Sequence, residues 1–305
     1  MGGFRSSGRA TGAPDPAQYH SDRHRSGRGR DGCAGAGDRR WTARVLHRRR
    51  NQPEAGIVIL LADVGNSRIK WVSSERGEFQ MRGRAAHGEE SWGELANRLW
   101  MDLPRPARVS IVSVAGPEVD AVLADWISRT WAIEAEFVVS TAVACDVRNS
   151  YAEPERMGAD RWVAMIAARA LLGPRTCYVV DCGTAVTIDA LAANGQHLGG
   201  VIVPGMRLMR EALYRQTRRI PPETGEARLF GQSTRDCVWG GALYAVASAI
   251  DGIVDRMIAR HGPGARLLTG GAAEVVLPCL QSDYRLEPDL IFAGLRVIAG
   301  VCTDA

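Results

Sequence analysis

The chain has 305 residues, 46% apolar and 24% charged, with a formal net charge of +4, a balance that excludes fibrous and wholly disordered classes. Its uninterrupted apolar runs, such as residues 57–62 and 162–168, fall far short of the roughly 20 residues that cross a bilayer, and no export signal is expected at its start. Seven cysteines without a C-x-x-C pair argue against a zinc site or a disulfide framework, so reduced thiols in a cytoplasmic protein with no membrane partner are expected.

Charge is concentrated at the start. Residues 1–50 carry twelve Arg against four Asp, a surplus of +8, while the rest of the chain is at −4. This Gly-, Ser- and Arg-rich stretch lacks the large apolar residues that could offset the entropy of ordering it, so residues 1–56 read as a disordered extension. Arg-rich runs without interleaved aromatics are weakly informative. A solvated tail or an over-long start accounts for this one, and no nucleic-acid partner is expected from it.

Residues 57–73, IVILLADVGNSRIKWVS, form an apolar run, an Asp-x-Gly turn and a second apolar strand. The turn ends in Lys70, the one lysine in a chain with 37 arginines. Residues 177–191, CYVVDCGTAVTIDAL, repeat the plan, aligning Asp63 with Asp181, Gly65 with Gly183 and Asn66 with Thr184. Glycine in each turn would permit a positive φ or a close backbone approach, and the small polar residues after it offer donors to an anion. Two such hairpins about one domain length apart imply two similar sheets, hence a duplicated α/β chain with domains at 57–153 and 154–305.

Between and after them, the spacing predicts helices over 91–100, 118–130, 161–172, 243–260 and 272–280, and strands over 107–114, 136–139 and 266–269. The last strand runs into Gly270-Gly271 and the N-terminus of a helix, a platform for an anion or a nucleotide. Gly199-Gly200 and Pro204-Gly205 read as turns shaping a cleft. Asp160, at the first turn of the 161–172 helix, is from spacing alone a favourable N-cap. The six histidines fall in no ligand spacing, and neither G-x-x-x-x-G-K-[ST] nor G-x-S-x-G occurs.

DVGNSRIKW (63–71), GADRW (158–162), DCGTAVTID (181–189), GGVIVPG (199–205) and LLTGGAAE (267–274), in this order and spacing, resemble the type III pantothenate kinases, also called the Bvg accessory factor family. The resemblance covers residues 57 to about 300. It implies the duplicated actin-like, ribonuclease H-like fold of the acetate and sugar kinase, Hsp70 and actin superfamily, with the active site between the two domains. The implied activity is ATP-dependent phosphorylation of pantothenate to 4'-phosphopantothenate, the first step of coenzyme A synthesis.

The same resemblance implies roles. Asp63, Val64, Gly65, Asn66, Ser67, Arg68, Ile69 and Lys70 would wrap the triphosphate, with Asp63 near Mg2+ and Thr184 also touching ATP. Asp160 would be the general base. Gly158, Ala159, Asp160 and Arg161 would bind substrate together with Tyr151, Arg161 pairing with the pantothenate carboxylate. Asp181 would hold a monovalent cation, K+ or NH4+. Thr234 would reach the pocket of the neighbouring subunit in a homodimer. The residues alone leave plainer roles open: a turn Asp at 63, a helix-face ion pair at Arg161 and a packed loop Tyr at 151. A non-catalytic accessory protein on this scaffold, or a kinase for another small hydroxylated metabolite, also stays open.

Overall fold

The computed structural model describes residues 58–88, 90–220 and 222–300. The Arg-rich extension over 1–56 lies outside the described residues. In chain order the elements are β1 (Val58–Val64), β2 (Arg68–Glu75), β3 (Glu78–Ala86), α1 (Trp92–Trp100), β4 (Arg108–Ser113), α2 (Pro117–Trp131), β5 (Ala135–Val138), and a small hairpin of β6 (Val143–Ala144) and β7 (Val147–Arg148). There follow α3 (Ala159–Leu172), β8 (Cys177–Cys182), β9 (Ala185–Leu191), β10 (His197–Pro204), α4 (Met206–Gln216), α5 (Thr234–His261), β11 (Ala265–Thr269), α6 (Ala273–Val276), β12 (Arg285–Leu286) and α7 (Leu290–Ala299).

The duplication expected from the two hairpins is present as topology. One five-stranded sheet has the order β3-β2-β1-β4-β5 and the other β10-β9-β8-β11-β12. In both, an antiparallel hairpin is extended by parallel strands: β1 pairs antiparallel with β2 and parallel with β4, and β8 pairs antiparallel with β9 and parallel with β11. Strand period fixes which side chains face which layer. Leu60, Ala62 and Val64 pack outward with Leu95, Trp100 and Ile127 of α1 and α2. Tyr178, Val180 and Cys182 pack outward with Val246, Ile250 and Val254 of α5.

The alternate faces, Ile59 and Leu61 on one sheet and Cys177 and Val179 on the other, share a central core with α3 and α7. Residues 161–168 of α3 are all buried, as befits a helix that is apolar on every side and covered by both sheets. Gly294 of α7 lets the two helices cross closely, since a Cβ there would lie 2.3 Å from the carbonyl oxygen of Val163. The outer helix α5 is long and apolar enough by length and composition to span a bilayer, but its apolar face is buried on the second sheet.

Several sequence expectations shift by a few residues, each for a local reason. The α1 boundary is sharp because Ser91 and Glu94 form a capping box. Helix α5 begins nine residues before the expected 243, capped by Ser233, because its first turns are too polar to show a period. The helix expected over 272–280 is one turn of α6 followed by a 3-10 turn at Leu277–Cys279, where Pro278 removes a donor. Gly199-Gly200 is not a turn: both glycines lie inside β10, and only Pro204-Gly205 ends an element. Strand β3 and helix α4 were not anticipated. β3 is largely exposed and polar, and α4 buries no residue, so neither carries a strong apolar pattern.

Candidate active site

Strand parity decides where the acids go. Asp63 continues the face of Ile59 and Leu61 at the C-terminal end of β1, and Asp181 continues the face of Cys177 and Val179 at the end of β8. Both carboxylates therefore point into the central layer, where the first turn of α3 brings Asp160. The Asp160 charge is near enough to act on both. Burial pushes the Asp63 carboxyl up to about 6, against the pull of Lys70 and with a further push from Asp160. Burial likewise pushes Asp181 up to about 7, with Asp160 and Asp63 adding to it. Asp160 is raised by burial as well, against the pull of the Arg161 backbone N–H and charge and with a smaller push from Asp189.

The turns of the two hairpins touch each other. The Ser67 hydroxyl lies 3.1 Å from that of Thr184, and Arg207, in the first turn of α4, donates from Nη2 to Ser67 Oγ at 2.6 Å. Lys70 stands opposite Asp63 across the β1–β2 pair, with its Nζ 3.7 Å from Asp63 Oδ2. The turns differ in length, residues 65–67 against 183–184, so the expected alignment holds only as far as the glycine. Neither Gly65 nor Gly183 has a positive φ, contrary to one of the two uses expected of them. Gly270 does. At φ +97° its missing Cβ would sit 2.3 Å from Asp181 Oδ1, so the turn after β11 can close over that carboxylate only as glycine.

The expected triphosphate stretch divides by burial. Asn66 and Arg68 are exposed, whereas the side chains of Val64 and Ile69 are fully buried in the outer core of the first sheet, leaving them only backbone to offer a ligand. Arg68 extends toward the Gly270-Gly271 turn. The N-cap of α3 is Gly158, not Asp160. Asp160 Oδ1 instead accepts from the Arg161 backbone N–H at 2.8 Å, and a Cβ on Gly158 would come within 2.7 Å of that oxygen.

Arg161 is buried and committed. Its Nε and Nη2 donate to Asp189 Oδ2 and Oδ1 at 2.9 and 2.6 Å, and its Nη1 donates to the Tyr151 hydroxyl at 2.8 Å. Burial works against its charge, but Asp189 and Tyr151 hold it protonated. Thr234 is exposed at the first residue of α5, and among the described residues no hydrogen bond joins it to the three acids. Sequence reasoning missed Asp189, His197, Ser150 and Arg207. The only signal was the final Asp of DCGTAVTID, whose partner lies 28 residues away.

The donor set can be tested against a cation. Among the described residues no group of three or more His, Cys, Asp or Glu stands at ligand spacing, so no closed cage exists. Asp181 accepts no hydrogen bond among the described residues, and Asp63 and Asp181 share the charge of one lysine, Lys70, while Arg161 acts on Asp160. Such surplus negative charge fits a cation whose remaining ligands are phosphate and water. The arrangement brings hydroxyl and basic side chains at the touching turns together with three carboxyls raised by burial, the kinds of group that phosphoryl transfer uses.

Known proteins agree with that chemistry. A family model described as type III pantothenate kinase matches residues 59–256. The type III pantothenate kinase of Nitrosococcus oceani is 36% identical over 249 residues, covering 79% of this chain and 94% of that protein. That of Acidovorax ebreus is 39% identical over 251 residues, covering 80% and 96%. Among solved structures, one described as a candidate 2-dehydro-3-deoxygalactonokinase from Sinorhizobium meliloti aligns with a TM-score of 0.51 at 16% identity over 79% of this chain and 99% of that one, a likeness of fold alone. With the duplicated actin-like fold, the paired hairpins and these relatives together, the chain belongs to the type III pantothenate kinase family.

Proposed function

We propose that this protein transfers the γ-phosphoryl group of ATP to the primary hydroxyl of pantothenate, releasing ADP and 4'-phosphopantothenate, the first step of coenzyme A synthesis, in the cytoplasm. One observation carries the reading: the Asp160 charge acts on both Asp63 and Asp181, and that of Asp63 on Asp181, at the ends of two hairpins whose turns touch. The turn residues Asn66, Ser67 and Thr184 hold phosphate oxygens, and Lys70, Arg68 and Arg207 supply positive charge around them. Asp160 takes the proton from the acceptor hydroxyl as the new P–O bond forms and the bond to ADP breaks, then returns it to solvent. Its raised basicity suits that task, since a base near the working pH transfers protons most effectively. Mg2+ at Asp63 and K+ or NH4+ at Asp181 would neutralise charge on the phosphates. Val64, Gly65 and Ile69 shape the turn by backbone.

On the acceptor side, Gly158 and Ala159 let the substrate approach the first turn of α3, while Tyr151 and Arg161 receive the pantothenate carboxylate. Thr234 would complete the pocket of a second subunit. Exposed apolar side chains on β10, α4 and the loop before α5 support a homodimer there, with Ile202 59%, Leu213 40% and Phe230 85% exposed. ADP release coupled to a dye, with and without pantothenate, tests the function. Pantothenate-dependent release is expected, and its absence with intact ATP binding would leave the accessory-protein reading in its place.

A further inference from the structure

One buried network lies outside the transfer chemistry. Asp189, on β9, is 2% exposed and accepts three hydrogen bonds: two from Arg161, and one at Oδ1 from His197 Nε2 at 3.0 Å. His197, at the start of β10 and 1% exposed, meets the Ser150 hydroxyl with Nδ1 at 2.9 Å. A carboxylate only accepts, so Nε2 carries the hydrogen of that contact, and Nδ1 shares a hydrogen bond with the Ser150 hydroxyl. The His197 ring also flanks the ring of Tyr151, with centroids 6.3 Å apart and planes 29° apart. Ser150 and Tyr151 are adjacent in a loop, so His197 anchors one while Arg161 holds the other.

The consequence is directional. Arg161 has five N–H groups; Nε and Nη2 are spent on Asp189, and the β10 backbone closes that side, since a Cβ on Gly200 would fall 2.1 Å from Asp189 Oδ1 and 2.7 Å from Arg161 Nη2. Nη1 remains, donating to a Tyr151 hydroxyl that keeps its own proton to give. We infer that Asp189 and His197 are positioning residues for acceptor recognition: through the Asp189–Arg161 and His197–Ser150 contacts they aim Arg161 Nη1 and the Tyr151 hydroxyl as a convergent donor pair at the carboxylate of the acceptor. This rests on the proposed function, and it locates part of the specificity of the site in residues that touch neither substrate.

The test is steady-state kinetics on the full-length wild type, His197→Ala, His197→Gln and Ser150→Ala, varying ATP and pantothenate separately, with Tm recorded for each. His197→Ala should raise the KM for pantothenate about tenfold while kcat and the KM for ATP move less than about twofold. His197→Gln, which restores a donor to Asp189, should recover most of that loss. Ser150→Ala removes one hydroxyl without opening the core and should raise the same KM about threefold, so the inference is still tested if His197→Ala does not fold. An unchanged pantothenate KM in a folded His197→Ala or Ser150→Ala, or parallel loss of both KM values and kcat with no rescue by Gln, overturns the inference. Absence of pantothenate turnover in the wild type instead overturns the proposed function, and the inference with it.

Discussion

Asp181 is held in the free protein at a cost that its substitution should reveal. Its carboxyl is raised from 3.8 to about 7 by burial and by the charges of Asp160 and Asp63. A folded value above the unfolded one means that the native state binds the extra proton, so this stability is fully present below about pH 4 and is lost as pH rises through about 7. The gap corresponds to about 4 kcal/mol. Residual solvent contact of Asp181 reduces what is expected at pH 8 to about 1–3 kcal/mol. Because Asp181 accepts no hydrogen bond among the described residues, Asp181→Asn removes the charge and leaves no existing donor without its partner.

The variant should therefore be inactive yet more stable than wild type at pH 8, by about 3–10 °C in Tm for a domain of this size, with little difference at pH 4.5. Thermal unfolding at both pH values, in chelator and without K+, measures this. Adding K+ should raise the wild-type Tm and leave the variant unmoved. A variant that is less stable at pH 8, or one whose stability falls with pH as steeply as wild type, would refute the reasoning, because the carboxylate would then be stabilised by something other than a cation.

The other consequences can be measured directly. Asp160→Asn should lower kcat about 100-fold or more with ATP affinity retained, and the wild-type kcat/KM should fall on acidification at a pH above the ordinary carboxylate range, since burial raises Asp160; near-normal turnover removes it from proton transfer. Replacing K+ by Na+ should lower turnover, and an equal rate in both salts speaks against a monovalent cation at Asp181. Gly200→Ala should cost about 1–3 kcal/mol in denaturant unfolding, because its Cβ would meet Asp189, Arg161 and the Ile188 carbonyl at once; unchanged stability would mean β10 can move off the pair.

The sequence by itself determined the duplication. Two apolar strands that each end in Asp-x-Gly carry their own pattern, and parity along each strand already places Asp63 and Asp181 on one kind of face. The helix start expected at 91 and the ends expected at 172 and 260 are set equally locally, by the capping box at Ser91 and by Gly173 and Gly262, so those boundaries were legible to within a residue. Only the tertiary structure decided that the two faces share a central layer with α3, which brings Asp160 near enough for its charge to raise both Asp63 and Asp181. It alone joined Arg161 to Asp189 and His197 to Ser150, pairs that sit 28 and 47 residues apart. Such links follow from packing between sheets and helices rather than from any period along the chain, and a buried charge has no signature in sequence until its partner is in place.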